Sequence, residues 1–220
     1  MNSAGESISD SSNLLNRLQL AISAETCQIG YVRLTPLPED RDGFRFRGGC
    51  NAIDLPATLQ ARLSSAPREL LATPADLARW LVSAGLAASA PEVTTDNLAT
   101  ARVLREAIYV LAGRRGRDQV KAARAIVNRI AAGSAATPQL QADGSLRLAG
   151  SAAALLVTVA QEAVHLFGSD AVKLIRQCKS PTCTLYFVDT SRKGDRRWCS
   201  MSACGNKAKV REFRLRKREA

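Results

Sequence analysis

Four cysteines near the C-terminus are the residues best suited to chemistry. They read Cys178-x4-Cys183, an interval of fifteen residues, then Cys199-x4-Cys204 with Gly205 directly after. Two close thiol pairs, separated by enough chain to fold back on each other, supply the four ligands of a tetrahedral zinc site. One pair wraps one side of the ion and the second closes the tetrahedron. A site using all four has no vacant position, so the spacing predicts one structural Zn2+ and not a catalytic metal.

Positive charge collects around the same thiols. Residues 171–220 hold 14 Lys/Arg against 4 Asp/Glu, whereas residues 1–170 hold 17 against 16. Four thiolates around Zn2+ carry a net −2, which leaves about +8 on the module. A near-neutral body joined to a strongly basic module is the electrostatic footprint of a nucleic-acid binder. The closing helix, expected over Asn206 to Glu219, carries Lys207, Arg211, Arg214 and Arg218 at spacings of four, three and four, so they share one face. Val210 and Phe213 share another, suited to packing on Trp198 or Tyr186. Thr190, Ser191, Arg192, Lys193, Arg196 and Arg197 add hydroxyl and cationic donors for phosphate oxygens, as does Asn206 at the helix start.

These residues need elements to hold them. Leu185 to Val188 reads as an apolar strand, and Arg196 to Trp198 as a second one leading into Cys199, with a polar turn over Asp189 to Asp195 between them. The order is a cysteine knuckle, a hairpin, the second pair, then a helix from about Cys204, which makes a treble-clef-like finger. Such a module has too small a core to fold without its metal. A helix over Ser169 to Gln177 is expected to deliver the chain to Cys178.

Upstream, the chain reads as mainly α, a multihelical domain with minor β hairpins. Leu14, Leu15, Leu18 and Ile22 predict a short amphipathic helix; Gln28 to Leu34 and Phe44 to Arg47 predict strands flanking the turn-rich Pro36 to Gly43. Thr73-Pro74-Ala75-Asp76 is a helix start, with Leu77, Trp80, Leu81 and Leu86 on its inner face. Helices follow over Thr95 to Leu111 (Leu98, Val103, Leu104, Ile108 and Leu111 inward), Gln119 to Ala131 and Ala152 to Phe167. A hairpin turns at Asp143-Gly144.

The remaining signals exclude more than they suggest. Apolar content of 46% and charged content of 23% fit a soluble globular protein. No run approaches the roughly 18 apolar residues of a membrane span, and the N-terminus lacks the pattern of a secretory signal. Six cysteines in that setting fit a reducing cytoplasm, with Cys27 and Cys50 as ordinary buried residues. His165 is the sole histidine and is expected at a core or boundary position, so no Ser/His/Asp or Cys/His constellation offers itself. Gly-rich phosphate loops are absent. No enzyme is expected. Arg114, Arg115 and Arg117 form a small basic cluster, read as a solvated loop near a helix C-terminus, with extension of a DNA-contacting surface as the alternative.

The finger motifs resemble those of the CGNR zinc-finger family. Phe187-Val188-Asp189-Thr190-Ser191-Arg192, then Arg196-Arg197-Trp198-Cys199-Ser200-Met201, then Cys204-Gly205-Asn206-Lys207 carry the likeness. Members place this finger after a mostly helical ABATE domain, and Phe46-Arg47-Gly48-Gly49 and Leu70 to Leu81 are similar to it. The resemblance spans about residues 44 to 218. It implies three segments: an extension (1–43), an ABATE-like domain (44–170) and the finger (171–220). It also implies a bacterial, stress-induced transcription regulator whose finger binds DNA; the helical domain is then expected to sense a signal or mediate association. The namesake arginine is Lys207 here, which keeps the charge without the bidentate fork. RNA binding and a protein-interaction adaptor are the alternatives. A homodimer would suit a regulator, although nothing in the sequence requires one. Cys199→Ser is expected to unfold the finger and leave the body's helices intact.

Overall fold

The computed structural model describes residues 38–114 and 116–219, without the side chains of 212, 215, 218 and 219. The helix expected over Leu14 to Ile22, the strand over Gln28 to Leu34 and Cys27 lie outside these residues. The first described element is a hairpin of β1 (Asp40–Arg41) and β2 (Phe44–Arg45), with Arg41 opposite Phe44. Asp42 and Gly43 both have positive φ, 48° and 80°. A two-residue Asp-Gly loop of that kind matches the twist of its strands. The turn-rich stretch expected to separate two strands therefore contains a strand of its own.

After the hairpin come α1 (Asn51–Asp54), a 3-10 turn (Leu55–Thr58), and a second small hairpin of β3 (Leu59–Gln60) and β4 (Arg68–Glu69). Helix α2 (Pro74–Ser83) starts as the sequence dictates. Thr73 Oγ1 accepts from the Asp76 N–H, and the Asp76 carboxylate accepts from the Thr73 N–H. Leu77, Trp80 and Leu81 are fully buried, and Phe46 stacks on Trp80 at 6.3 Å.

Three long helices form the body: α3 (Thr95–Gly113), α4 (Arg117–Ala131) and α5 (Ala152–Gly168). Between α4 and α5 lies the exposed hairpin β5 (Thr137–Leu140) and β6 (Leu146–Ala149), turning where Asp143-Gly144 predicted. Leu155, Leu156, Val159, Ala160 and Ala163 of α5 are all buried, against Ala123 and Val127 of α4 and Leu98, Leu104 and Ile108 of α3. Val103, expected inward, is 43% exposed. Ala101 holds the buried position instead, because the 3.6-residue period carries the inner stripe through 98, 101, 104 and 108.

The helix expected over Ser169 to Gln177 is instead a 3-10 turn (Asp170–Leu174) followed by strand β7 (Ile175–Gln177). Helical periodicity gives way because β7 pairs antiparallel with β8 (Tyr186–Val188), Ile175 facing Val188 and Gln177 facing Tyr186.

Strand β8 also belongs to the body. Tyr186 and Val188 lie in the same apolar core as the helices, and the Tyr186 ring meets Tyr109 edge-on at 5.3 Å. The Val188 N–H donates to the Gly48 carbonyl at 2.8 Å, and the Gly48 N–H donates to Asp54 Oδ1 at 2.7 Å. A Cβ on Gly48 would sit 2.7 Å from Ile53 Cγ2 and 2.9 Å from the Ile53 carbonyl carbon. Gly49, with φ 93°, passes under Val188. Gly48 and Gly49 are thus the seat on which the last strand docks.

Buried polar groups fix the same region. Glu162 accepts the Ala52 N–H at the start of α1 at 2.7 Å. Arg105, 4% exposed, makes a two-pronged pair with Glu69 at 2.6 and 2.8 Å. Burial pushes the Asp54 carboxyl up to about 7, against the pull of the Gly48 N–H, the Arg41 charge and the Arg47 N–H.

Two expectations follow from this seat. Gly48→Ala forces backbone movement where nothing can yield, and should lower stability by about 1–3 kcal/mol in chemical denaturation. Asp54 has a folded pKa above its unfolded value, so its contribution to stability is fully present below about pH 4 and is lost as pH rises through about 7. Asp54→Asn retains an acceptor for Gly48. Its stability relative to the parent should therefore rise between pH 4 and 8, by an amount on the order of a few kcal/mol. A difference that stays constant with pH would refute that role.

Candidate metal centre and basic surface

The β7–β8 pair brings the first two cysteines into position. The Cys178 N–H donates to the Leu185 carbonyl at 2.9 Å, and Cys183 N–H closes a turn onto Ser180 at 3.0 Å. Lys179 N–H reaches the Arg197 carbonyl at 2.9 Å, tying the first knuckle to the chain that carries Cys199. Ser200 Oγ then accepts the Ala203 N–H at 3.2 Å and starts the turn Met201–Gly205, which holds Cys204 and runs into α6 (Asn206–Glu219). A Cβ on Gly205 would lie 2.8 Å from Met201 Sδ and 3.2 Å from the Trp198 ring. Glycine after the fourth cysteine is what lets Trp198 close over the turn.

All four sulfurs lie within 4.8 Å of one another. Cys183 to Cys199 is 3.8 Å and Cys199 to Cys204 is 3.7 Å. A regular tetrahedron with Zn–S bonds of about 2.3 Å has edges of roughly 3.8 Å, so the donor set has zinc dimensions. Cys178, Cys199 and Cys204 are buried with Leu185, Phe187 and Ala57 in a small second core, with Cys183 and Trp198 packed against it.

Cys178, Cys183 and Cys199 cannot all ionise unaided. Hydrogen bonds from Cys183 and Cys199 hold the Cys178 thiol far below its ordinary range. Cys183 and Cys199, each facing that thiolate, are pushed strongly upward, and burial adds to the effect. A divalent cation among them removes the repulsion and stabilises four thiolates together.

One expected strand is missing. Arg196 to Trp198 is irregular, and β8 takes its partner from before the first cysteine. Asp189 shapes the loop instead. Only 2% exposed, it accepts from the Ser191 N–H and hydroxyl through Oδ1 (3.1 and 2.6 Å) and from the Arg196 N–H through Oδ2 (2.9 Å). Burial opposes its ionisation, but these donors and the Arg176 charge outweigh it, and its pKa falls below the usual carboxylate value. An Asp two residues before a Ser is a turn signal, so this role was open to sequence reasoning, which passed over it.

The residues expected to contact nucleic acid separate into two groups. Arg196 turns inward: Nε donates to the Trp198 carbonyl at 2.8 Å, Nη2 to the Cys199 carbonyl, and the guanidinium lies 4.8 Å from the Phe187 ring centre. It braces the finger. The Ser191 hydroxyl is likewise committed to Asp189. Thr190, Arg192, Lys193 and Arg197 are exposed, Arg197 over the Trp198 ring at 5.1 Å. On α6, Asn206, Lys207, Arg211 and Arg214 are exposed and line an open concavity with Ser202 and Val210. The Arg218 side chain lies outside the described residues.

Two further expectations need correction. Val210 (48% exposed) and Phe213 (61%) do not pack on the finger, because Tyr186 is turned into the body against Tyr109. His165 is exposed on α5, whose buried positions in that turn are Glu162, Ala163 and Leu166.

This geometry defines a class: a helical body closed by a four-cysteine, zinc-stapled finger. Residues 51–170 match the ABATE family model, described as "Putative stress-induced transcription regulator", and residues 175–217 match the CGNR zinc finger. The chain belongs to the ABATE family and carries a CGNR finger, in which Cys178, Cys183, Cys199 and Cys204 form one structural zinc site. No curated protein matches the chain. Among the described residues, no helix is long and apolar enough to cross a membrane.

Since β8 belongs to the body's core, finger and body should not melt independently. Cys199→Ser, or chelation, should remove the single zinc measured by emission spectrometry and also lower the melting temperature of the body's helices. A helical transition left unmoved would mean that the shared core carries no coupling energy.

Proposed function

We propose that this protein is a cytoplasmic transcriptional regulator that grips duplex DNA with its zinc-ordered finger and has no catalytic activity of its own. The observation that carries the reading is the cationic face of α6. Lys207, Arg211 and Arg214 are exposed on adjacent turns, and none of them has an acidic partner within ion-pair distance among the described residues. An α-helix fits the major groove, where cations meet phosphates and apolar side chains meet thymine methyl groups. Phe213 and Val210, exposed beside those cations, supply the apolar component. Arg192, Lys193 and Arg197 on the Asp189-shaped loop extend the contact to the backbone. The helical body is then the part that receives a signal or associates with a second copy. Four thiolates fill the tetrahedron of the zinc and leave no ligand position for a substrate.

Exposed Met201, Val210 and Phe213 also favour a second reading, in which the finger is a protein-interaction adaptor. A salt series separates the two. Arg211→Glu with Arg214→Glu should weaken binding of the zinc-loaded protein to duplex DNA at least tenfold. It should also flatten the dependence of log K on log salt by about two units. An unchanged slope would sink the DNA assignment, and tighter binding to single-stranded RNA in a parallel titration would redirect it.

A further inference from the structure

We propose that the DNA-contacting surface continues from the finger across its root onto the corner between α3 and α4, where Arg114, Arg117 and Lys121 make a second set of phosphate contacts. The inference rests on the DNA reading above and extends it to a part of the body to which nothing else assigns a role.

The charge of the body is less even than its total suggests. Residues 114–129 hold six Lys/Arg against the single Asp118, so the rest of the first 170 residues has 11 Lys/Arg against 15 Asp/Glu. The rest of the body is thus mildly acidic in sum, and its excess of cations collects along one helix and the corner that leads into it. Arg117, Lys121 and Arg124 recur at spacings of four and three, on one face of α4, and all are exposed. Among the described residues, neither they nor Arg114 have an acidic partner within ion-pair distance.

The corner is tied to the finger by contacts. Arg114 has φ 50°, a left-handed conformation that glycine adopts more cheaply, although Gly113 precedes it and Gly116 follows shortly after. Its guanidinium donates to the Val172 carbonyl at 3.1 Å, in the 3-10 turn that leads into β7. Two residues on, the Leu174 carbonyl accepts the Asp189 N–H at 2.9 Å, and Asp189 is the group that shapes the Thr190–Arg197 loop. Lys173 and Arg176 lie exposed between the two places; Asp170 neutralises Lys173 at 2.6 Å, and Arg176 donates to the Lys173 carbonyl. The proposed band of cations therefore runs from Lys121 through Arg117 and Arg114, past the turn that Arg114 reaches, to Arg176 and to Arg192 and Lys193 on the loop tied to the same turn. Since β8 fixes the finger to the body, its members keep their spacing. A rigid polyanion longer than the finger can engage both ends, whereas a short acidic peptide cannot.

The test uses the full zinc-loaded chain and a random-sequence 30-base-pair duplex across a salt series. Arg117→Gln with Lys121→Gln, both on the surface, should leave zinc content and far-UV dichroism unchanged. It should make the log K against log salt slope shallower by one to two units, at about 0.9 per phosphate lost. Lys121→Gln alone should account for about half of that. The charge-keeping pair Arg117→Lys with Lys121→Arg should restore the parental slope. Parental affinity and slope in the Gln pair, with the slope flattened only by changes at Arg211 and Arg214, would overturn the body contact and leave the finger reading intact. A loss in the charge-keeping pair as large as in the Gln pair would also overturn it. Failure of the parent protein to bind the duplex at low salt would remove both readings together.

Discussion

Everything in the C-terminal part depends on four sulfurs being brought closer together than their charges allow. With edges of 3.7 and 3.8 Å between them, one thiolate already opposes the next. Only a central cation makes that packing favourable. The core around it is otherwise Leu185, Phe187, Ala57 and Trp198, too little apolar surface to order forty residues. Zinc therefore does more than hold a knuckle. It sets the Cys199–Cys204 turn, and that turn aims α6. It also fixes the register in which Arg197 meets Lys179 and in which Arg196 closes over Phe187.

The second constraint is the seat at Gly48 and Gly49. A finger tethered by a flexible linker would present its cations independently of the body. Here β8 is shared, with one face on the zinc core through Phe187 and the other in the body's core through Tyr186 and Val188. Alternating side chains of a three-residue strand serve two cores at once. The Ser202 hydroxyl adds a contact to Glu39 at 3.4 Å, so the turn before α6 also touches the first hairpin. A rigid mount loses less orientational freedom on binding than a tethered module does. It also lets a change in the helical body reach the finger through a strand and not through a loop.

Much of this was legible in the sequence, and the misses have physical causes. The zinc ligands needed only residue type and spacing. The helix start at Thr73 rested on local capping chemistry, and long apolar periodicity placed α3, α4 and α5. Errors arose where tertiary pairing outweighed local pattern. Ile175–Gln177 looked helical but became a strand because β8 needed a partner, and Arg196–Trp198 looked extended but remained a loop because Asp189 held it. Two alternating residues cannot announce a strand, so β1 was missed in spite of its Asp-Gly turn. Nor could the sequence divide the cations by duty: Arg196 and Arg197 are neighbours, yet one braces carbonyls and the other faces water.

Helix α6 is the element least supported by the rest of the protein. Its first turn is secured, since Ser200 caps the preceding turn and Cys204 ties that turn to the metal site. Beyond it, cations at spacings of three and four repel one another by a few tenths of a kcal/mol per pair, and Val210 and Phe213 remain largely in water. Arg216 and Lys217 recover part of the loss, because cations at a helix C-terminus oppose the dipole favourably. The composition is costly for a helix in isolation and well matched to one lying against a polyanion, which screens the cations and covers the apolar residues in one step. On this balance zinc fixes where α6 begins, and a polyanion bound along it would supply what the remainder of the helix lacks.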